Sequence, residues 1–218
     1  MYRTSEFLES LCARACDVAQ ALHLSCELVL VDDVCPEGSA DVAQGLMGRY
    51  PIRVRRLPSN QGQDAAIRAG LRICRGNWVV ILDGDLQDPP EALTALWPFA
   101  ADYDAVFADR VGQYESRSRL FSSRLYRRCM ELVGGLPRGA GLFVLMNRSL
   151  IETVAATHGS RVSVLAVIAA ARGRYISVPV ERASRPTGTS GYSTARRWHK
   201  GLLSLWQTLA ARRLGMRL

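Results

Sequence analysis

The stretch WVVILDGDLQDPPEAL, residues 78–93, decides the fold because an apolar run gives way abruptly to a cluster of acids. The apolar residues 78–82 predict a strand that is buried on both faces, as parallel sheets require. Pro89-Pro90 end the regular structure, since proline blocks continuation of a strand and restricts the residue before it. Asp83 and Asp85 therefore lie where a buried strand leaves the core, and ligands bind at that place in open α/β sheets.

Strands and helices alternate on both sides of this stretch. The strand patterns are CELVLVDD, IRVRRL, YDAVFADR, GLFVLM and YISVPVE, and helical patterns or turns separate them. Ser39 is a predicted N-cap for a helix over residues 40–47. This alternation predicts an α/β fold with one mostly parallel central sheet flanked by helices. We expect one catalytic-type domain over residues 1–193, followed by a helix over residues 194–218.

Composition is that of a globular protein large enough for a real core, with 218 residues, 48% hydrophobic and 22% charged. No apolar run reaches the ~18 residues that a membrane-spanning helix needs. The six cysteines include no CxxC pair, and they predict free thiols in a reducing cytosol, with a metal site as the alternative. The three histidines are scattered without ligand spacing.

The net charge of +8 is concentrated in the tail. Residues 182–218 contain eight basic side chains and no acid, so residues 1–181 are balanced. A balanced body argues against nucleic-acid binding. Basic clusters flank an apolar helical face, which predicts a helix lying on an anionic membrane surface. The alternative is a C-terminal helix that packs on the core with a solvated basic face. The apolar face consists of Trp198, Leu202, Leu205, Leu209 and Ala210.

Two of the predicted strands end in acids, Asp32-Asp33 and Asp83-Gly84-Asp85. Gly84 leaves room for a ligand close to the backbone. A pair of carboxylates, with the amide oxygen of Gln87, suits Mg²⁺ or Mn²⁺ and leaves positions open for diphosphate oxygens. Such a cation neutralises charge on a leaving phosphate. The alternative is that these acids are ordinary solvated loop residues.

Several segments resemble, in order and spacing, the family 2 glycosyltransferases with a GT-A fold. LVLVDDVCPEGSADVA, NQGQDAAIRAGL and VVILDGDLQDPPE carry the resemblance, in particular to polyprenyl- and dolichyl-phosphate mannosyl- and glucosyltransferases. It continues through GAGLFVLMNRSLIE and SRPTGTSGYS to about residue 200. The resemblance implies a single GT-A, Rossmann-like domain. The sequence opens in the helix that should follow the family's first strand, so we expect either that the start codon is placed late or that the protein lacks part of the donor pocket.

The resemblance also implies roles for the acids. Asp33, with Asp32 beside it, matches the carboxylate near the nucleoside base or ribose. Asp83, Gly84 and Asp85 match the motif that binds the nucleotide sugar and the metal ion, and Asp85 with Gln87 would hold the ion.

Three arginines match family positions that bind the diphosphate or the acceptor phosphate: Arg110, Arg124 and Arg185. Bidentate guanidinium groups suit phosphate oxygens. The alternative for any one of them, Arg124 in particular, is a solvated surface charge.

The implied reaction transfers a hexose, with inversion and with a metal ion, from a GDP- or UDP-hexose to a polyprenyl phosphate such as dolichyl or undecaprenyl phosphate. Because a lipid phosphate is already anionic, positioning and electrostatics carry the catalysis and hardly any general base is needed. The protein would then be peripheral on the cytoplasmic face of a membrane. Two alternatives remain: a non-catalytic, membrane-associated pseudo-glycosyltransferase, which the missing strand favours, and a family 2 transferase with a saccharide acceptor.

Overall fold

The computed structural model describes residues 5–111, 135–159, 162–181, 206–208 and 210. Strands and helices alternate along the chain, as predicted. The strands are β1 (Leu28–Asp32), β2 (Ile52–Arg56), β3 (Trp78–Ile81), β4 (Ala105–Val111), β5 (Val144–Asn147) and β6 (Tyr175–Glu181). The helices are α1 (Leu8–Ala21), α2 (Ser39–Gly45), α3 (Gln63–Leu71), α4 (Leu93–Leu96), α5 (Arg148–Ala155) and α6 (Val164–Ala171).

The strands of the described residues form two hydrogen-bonded sheets instead of one. A four-stranded sheet has the order β3-β5-β4-β6, in which β4 and β6 are parallel. Strand β5 runs antiparallel to both of its neighbours. Strands β1 and β2 form a separate parallel pair with Leu28 opposite Ile52. The α/β class and the predominance of parallel strand directions agree with the sequence prediction.

Strands β1 and β3 are the facing edges of these two sheets. The Glu27 carboxylate, just before β1, accepts hydrogen bonds from the backbone N–H groups of Arg75 and, at 2.9 Å, Gly76, just before β3. The two strands thus begin at the same end of the molecule, yet no strand of the described residues lies between them. The residues of β3 are consequently half-buried, so the prediction of full burial on both faces was wrong for this strand.

Helices cover both faces of the four-stranded sheet. Alternate residues of β4 point to opposite sides: Ala105 and Phe107 pack with α5 and α6, whereas Val106 and Ala108 pack toward α4. A third cluster packs α1 and α2 against the β1-β2 pair. The neighbouring strands β4 and β5 are therefore buried on both faces, and they form the centre of the layered core.

The residues at the N-termini of α2 and α5 explain where these two helices begin. Gly38, with φ of 67°, occupies the cap position of α2, and the predicted cap Ser39 is instead the first helical residue. Ser39 is buried, and its hydroxyl donates to Cys35 Sγ at 3.0 Å. Asn147 caps α5, because its Oδ1 accepts from the Leu150 N–H at 3.0 Å.

The described part of the tail packs on the domain. Residues 206–208 are helical, and Gln207 Oε1 accepts from the Ser163 N–H at 2.9 Å. Ala210, predicted on a membrane-facing apolar side, is buried in the domain, and Trp206 is 59% exposed instead. The remainder of the predicted helix lies outside the described residues. Within the described ranges, no helix combines the length and apolarity that crossing a bilayer requires.

Candidate active site

Acidic turns follow β1 and β3, and both turns carry unusual backbone geometry. Val34, directly after Asp33, has φ of 57°, and Leu86, directly after Asp85, has φ of 58°. Left-handed conformations are uncommon for residues with a Cβ and are genuine outliers for a β-branched residue. Such strain persists where the surrounding structure fixes it, and it concentrates at functional sites. Contacts with the surrounding structure therefore stabilise each turn by more than the free energy that its backbone strain costs.

Asp33 holds the loop that leads into α3. Its side chain is only 7% exposed, and its two carboxylate oxygens accept from the backbone N–H groups of Gln61 at 2.7 Å and Gly62 at 2.8 Å. Asn60 also donates to the Asp33 carbonyl at 3.2 Å. Hydrogen bonds to a charged acceptor are the stronger kind. Asp33 thus fixes this loop, and its proximity to a nucleoside base or ribose stays a prediction.

Asp32 has a more local role. Its Oδ1 accepts from the Cys35 N–H at 2.9 Å, which closes the turn after β1. Its side chain is buried.

Asp83 connects the α3 loop to β4. Asp83 Oδ1 accepts from Gln63 Nε2 at 2.8 Å, and its Oδ2 lies 3.7 Å from Arg110 Nη2. Gln63 follows Gly62, which is bound by Asp33. A continuous chain of polar contacts therefore joins the acidic turn of β1 to that of β3, and it reaches Arg110 near the end of β4.

Asp88 is the second partner of Arg110. Its side chain is 1% exposed and forms a short ion pair with Arg110 Nη2. This pair fixes the guanidinium beside Asp83. The sequence placed Asp88 in the acidic stretch, but neither Asp88 nor Gln63 was assigned a role. The signal that would have found Asp88 is its position before the double proline, where the chain has little freedom.

Asp85, Gly84 and Gln87 lie in the same turn as Asp83. Asp85 Oδ1 accepts from the Gln87 N–H at 3.2 Å, a local contact. In the described part of the chain, no group of three or more His, Cys, Asp or Glu side chains could hold a metal ion. The turn itself offers two carboxylates and one amide, which are hard oxygen donors of the type Mg²⁺ and Mn²⁺ prefer. These donors fit a cation that takes its remaining ligands from substrate and water.

The segment before β5 approaches the same end of β4. Gly139 has φ of 76°, and a Cβ atom there would lie 2.0 Å from an Asp109 carboxylate oxygen. Only glycine therefore permits the 139 turn to lie against Asp109, the neighbour of Arg110. Arg124 and Arg185, the other predicted phosphate-binding arginines, lie outside the described residues.

Comparison with known proteins identifies the family. The model of glycosyl transferase family 2 matches residues 3–162. An undecaprenyl-phosphate 4-deoxy-4-formamido-L-arabinose transferase of Pseudomonas fluorescens Pf-5 is 32% identical over 202 residues, covering 90% of this chain and 59% of that protein. The protein of the same name from Sodalis glossinidius is 32% identical over 200 residues, with 88% and 61% covered. The chain thus spans about three fifths of the length of these curated relatives.

Solved structures agree on the fold. Mannosyl-3-phosphoglycerate synthase from Rubrobacter xylanophilus superposes with a TM-score of 0.70 at 14% identity, covering the whole of this chain and 73% of that one. Glucosyl-3-phosphoglycerate synthase from Mycobacterium tuberculosis, in complex with Mn²⁺ and UDP-glucose, gives a TM-score of 0.65 at 17% identity, with 100% and 78% covered. Both the sequence match and the GT-A architecture lead to one conclusion: this chain belongs to glycosyl transferase family 2.

Proposed function

We propose that this protein transfers a sugar from a nucleotide-diphosphate sugar to a polyprenyl phosphate, with inversion at the anomeric carbon and with Mg²⁺ or Mn²⁺. The observation that supports this most is the polar chain from Asp33 through Gln63 and Asp83 to Arg110, which joins three strand ends into one site. The names of the two curated relatives suggest undecaprenyl phosphate as the type of acceptor. Their sugar is a pentose derivative, so the proposal covers a hexose or a modified pentose.

The donor would lie across the acidic turns. Asp83, Asp85 and Gln87 would hold the cation, which when bound offsets negative charge on the leaving diphosphate. Arg110 is fixed by Asp88 and is 3.7 Å from Asp83, so it brings a preorganised positive group to the same place. Arg124 and Arg185 would add further phosphate contacts. Asp33 would position the nucleoside through the loop that it holds.

The reaction needs little proton transfer. An anionic oxygen of the acceptor phosphate attacks the anomeric carbon, and the bond from that carbon to the diphosphate oxygen breaks. The electron pair leaves with the nucleoside diphosphate. Because the nucleophile is already charged at neutral pH, the protein has to orient both substrates and stabilise the leaving group. Gln207 and Ala210 pack on the domain, whereas the exposed Trp206 and the basic side chains of residues 194–218 would bring the domain to the cytoplasmic face of the membrane where such an acceptor lies.

Calorimetric titration with GDP and UDP, with and without Mn²⁺, tests the donor site. We expect metal-dependent binding of one nucleotide, which would also identify the donor base. Asp85→Ala should abolish it, and Asp102→Ala, at an exposed acid away from the turns, should leave it unchanged. Failure of the folded protein to bind either nucleotide would contradict the proposal and favour a non-catalytic pseudo-glycosyltransferase. If nucleotide binding depends on the metal but the sugar is transferred only to a saccharide, the donor site would stand and the acceptor would be a saccharide.

A further inference from the structure

A basic pocket of about 270 Å³ lies beside α3, next to the loop that Asp33 holds. The end of β2, one face of α3 and the turn after α5 enclose it. None of its lining residues is an Asp or a Glu. Neither Asp83, Asp85 nor Arg110 contributes to it. The polar lining consists mainly of Arg55, Gln61, Arg68, Arg72 and His158.

The arginines of this pocket differ from several other described arginines in their partners. Arg14, Arg49, Arg56 and Arg148 each have a carboxylate oxygen within 3 Å. Among the described residues, no carboxylate lies within ion-pair distance of the pocket arginines. Arg68, which is 2% exposed, donates to two backbone carbonyls, those of Val162 and, at 2.6 Å, Gly159.

Arg72 makes contacts of the same type, with Nε donating to the Ala155 carbonyl at 3.0 Å and Nη2 to the Thr157 carbonyl at 2.7 Å. Carbonyl groups satisfy N–H donors but do not neutralise a positive charge. The two guanidinium groups are therefore positioned by the backbone and keep their net charge.

The charges in this pocket also act on each other. Burial lowers the pKa of Arg68, Asp64 raises it, and the neighbouring Arg72 lowers it further. Asp64 does not line the pocket, and its Oδ1 accepts from the Val164 N–H at 2.9 Å. Since a guanidinium remains protonated, repulsion between Arg68 and Arg72 stays in the folded protein. An anion between the arginines would offset this repulsion and part of the cost of burying Arg68.

We propose that this pocket is a second ligand site, which binds the phosphate group of a small soluble molecule independently of the metal. Planar guanidinium groups with fixed orientation bind the several oxygens of a phosphate better than they bind a halide ion, which offers a single point of contact. The pocket volume leaves space for a phosphate and a small organic group attached to it.

The position of the pocket gives such a ligand a route to the active site. Gln61 lines the pocket, and its backbone N–H donates to the Asp33 carboxylate at 2.7 Å. A phosphate in the pocket would therefore contact the loop that Asp33 holds. Occupancy of the pocket and the geometry of the donor site are then linked through one residue.

Inorganic phosphate is the probe for this site. Calorimetric titration in EDTA, with sodium chloride adjusted to constant ionic strength, should detect binding, and Arg55→Gln should weaken it by about tenfold, or about 1.4 kcal/mol. Arg56→Gln is the matched control, because Arg56 is the next residue of β2 and pairs with Asp41 instead. Its phosphate affinity should equal that of the unmodified protein. Arg72→Gln should resemble Arg55→Gln if it folds.

Three results would overturn the proposal. The first is the absence of phosphate binding by the folded protein. The second is an equal loss of affinity in Arg55→Gln and Arg56→Gln, which would mean that overall charge attracts the anion. The third is loss of phosphate binding in Asp85→Ala, which would place the anion at the acidic turns. Because Asp85→Ala is expected to lose the nucleotide and to keep phosphate, the two sites succeed or fail separately.

Discussion

At the residue scale, the pair between Asp88 and Arg110 is the contact with the largest expected effect. Asp88→Asn removes the charge from a side chain that is 1% exposed, so that Asp83 is the carboxylate that remains beside Arg110. We expect the free energy of unfolding to fall by about 3 kcal/mol, the lower end for a broken buried pair, since Arg110 keeps some exposure. Nucleotide affinity should fall about tenfold as Arg110 loses its orientation.

Denaturant unfolding and calorimetry measure these two quantities separately. Asp102→Asn is the control, because Asp102 is an exposed acid. A variant with reduced stability and unchanged nucleotide affinity would show that Asp88 supports the fold but does not position Arg110 for the ligand.

Asp33 and Asp32 are adjacent acids, but we expect their substitution to change the free energy of unfolding by different amounts. Asp33→Asn weakens two charge-assisted hydrogen bonds to the α3 loop and places an amide N–H₂ against a backbone donor. Charged hydrogen bonds contribute about 1.5–3 kcal/mol each, so we expect a loss of about 2–3 kcal/mol. Asp32→Asn keeps an acceptor for the single Cys35 N–H and should cost less. Equal losses on urea unfolding would contradict this assignment.

At the element scale, the start of α3 depends on Gly62. Its φ of 86° and ψ of 169° fall in a region that is essentially restricted to glycine. Gly62→Ala should therefore lower the free energy of unfolding by about 1–3 kcal/mol. Gly45→Ala is the matched control, because Gly45 ends α2 with no atom within 4 Å of the added Cβ, and alanine there should be neutral or stabilising by up to about 1 kcal/mol. A lower unfolding temperature for Gly45→Ala than for Gly62→Ala would contradict this prediction.

The link between α1 and the turn after Asp88 should depend on pH. Arg14 binds Glu91 through two hydrogen bonds of 2.7 and 2.6 Å and lowers the pKa of that carboxyl. A lowered pKa in the folded state stabilises the protein above the unfolded pKa, and this contribution disappears as pH falls through the folded value. Because both side chains are partly exposed, Glu91→Gln should cost less than about 1 kcal/mol at pH 7. The difference between the two proteins should disappear in unfolding titrations as the pH falls below the folded-state pKa of Glu91.

The order of the elements was accessible from the sequence, because apolar runs and turn residues mark β1, β4 and β6 clearly. The acidic ends of β1 and β3 were accessible for the same reason, since those carboxylates follow apolar strands directly. The reversal of β5 was not, because strand direction depends on pairing with β3 and β4 and leaves no local signature. The contacts of Gln63 with Asp83 and of Asp33 with Gln61 were also hidden, as they join positions 20 and 28 residues apart.

At the scale of the whole molecule, the separation of the two sheets predicts an uneven pattern of hydrogen exchange. Among the described residues, β1 is paired only with β2 and β3 only with β5, whereas β4 is paired on both sides. We expect exchange in β3 to be faster than in β4 by at least an order of magnitude under native conditions, in line with the spread of local opening free energies. Equal protection in β3 and β4, measured by mass spectrometry, would mean that the β3 edge is covered.

The split between β1 and β3 also changes what a bound donor would do for the protein. Glu27 at one end and Asp33, Gln63 and Asp83 at the other join the two sheets through polar contacts. Val29 of β1 also packs in the same apolar cluster as Val79 and Ile81 of β3, so side-chain contacts, and not a shared strand, set the spacing of the acidic turns. A ligand that touches both turns would act as an additional cross-link between the two sheets. Occupancy of the site and rigidity of the scaffold would then increase together, which makes the substrate a structural component of the fold for as long as it is bound.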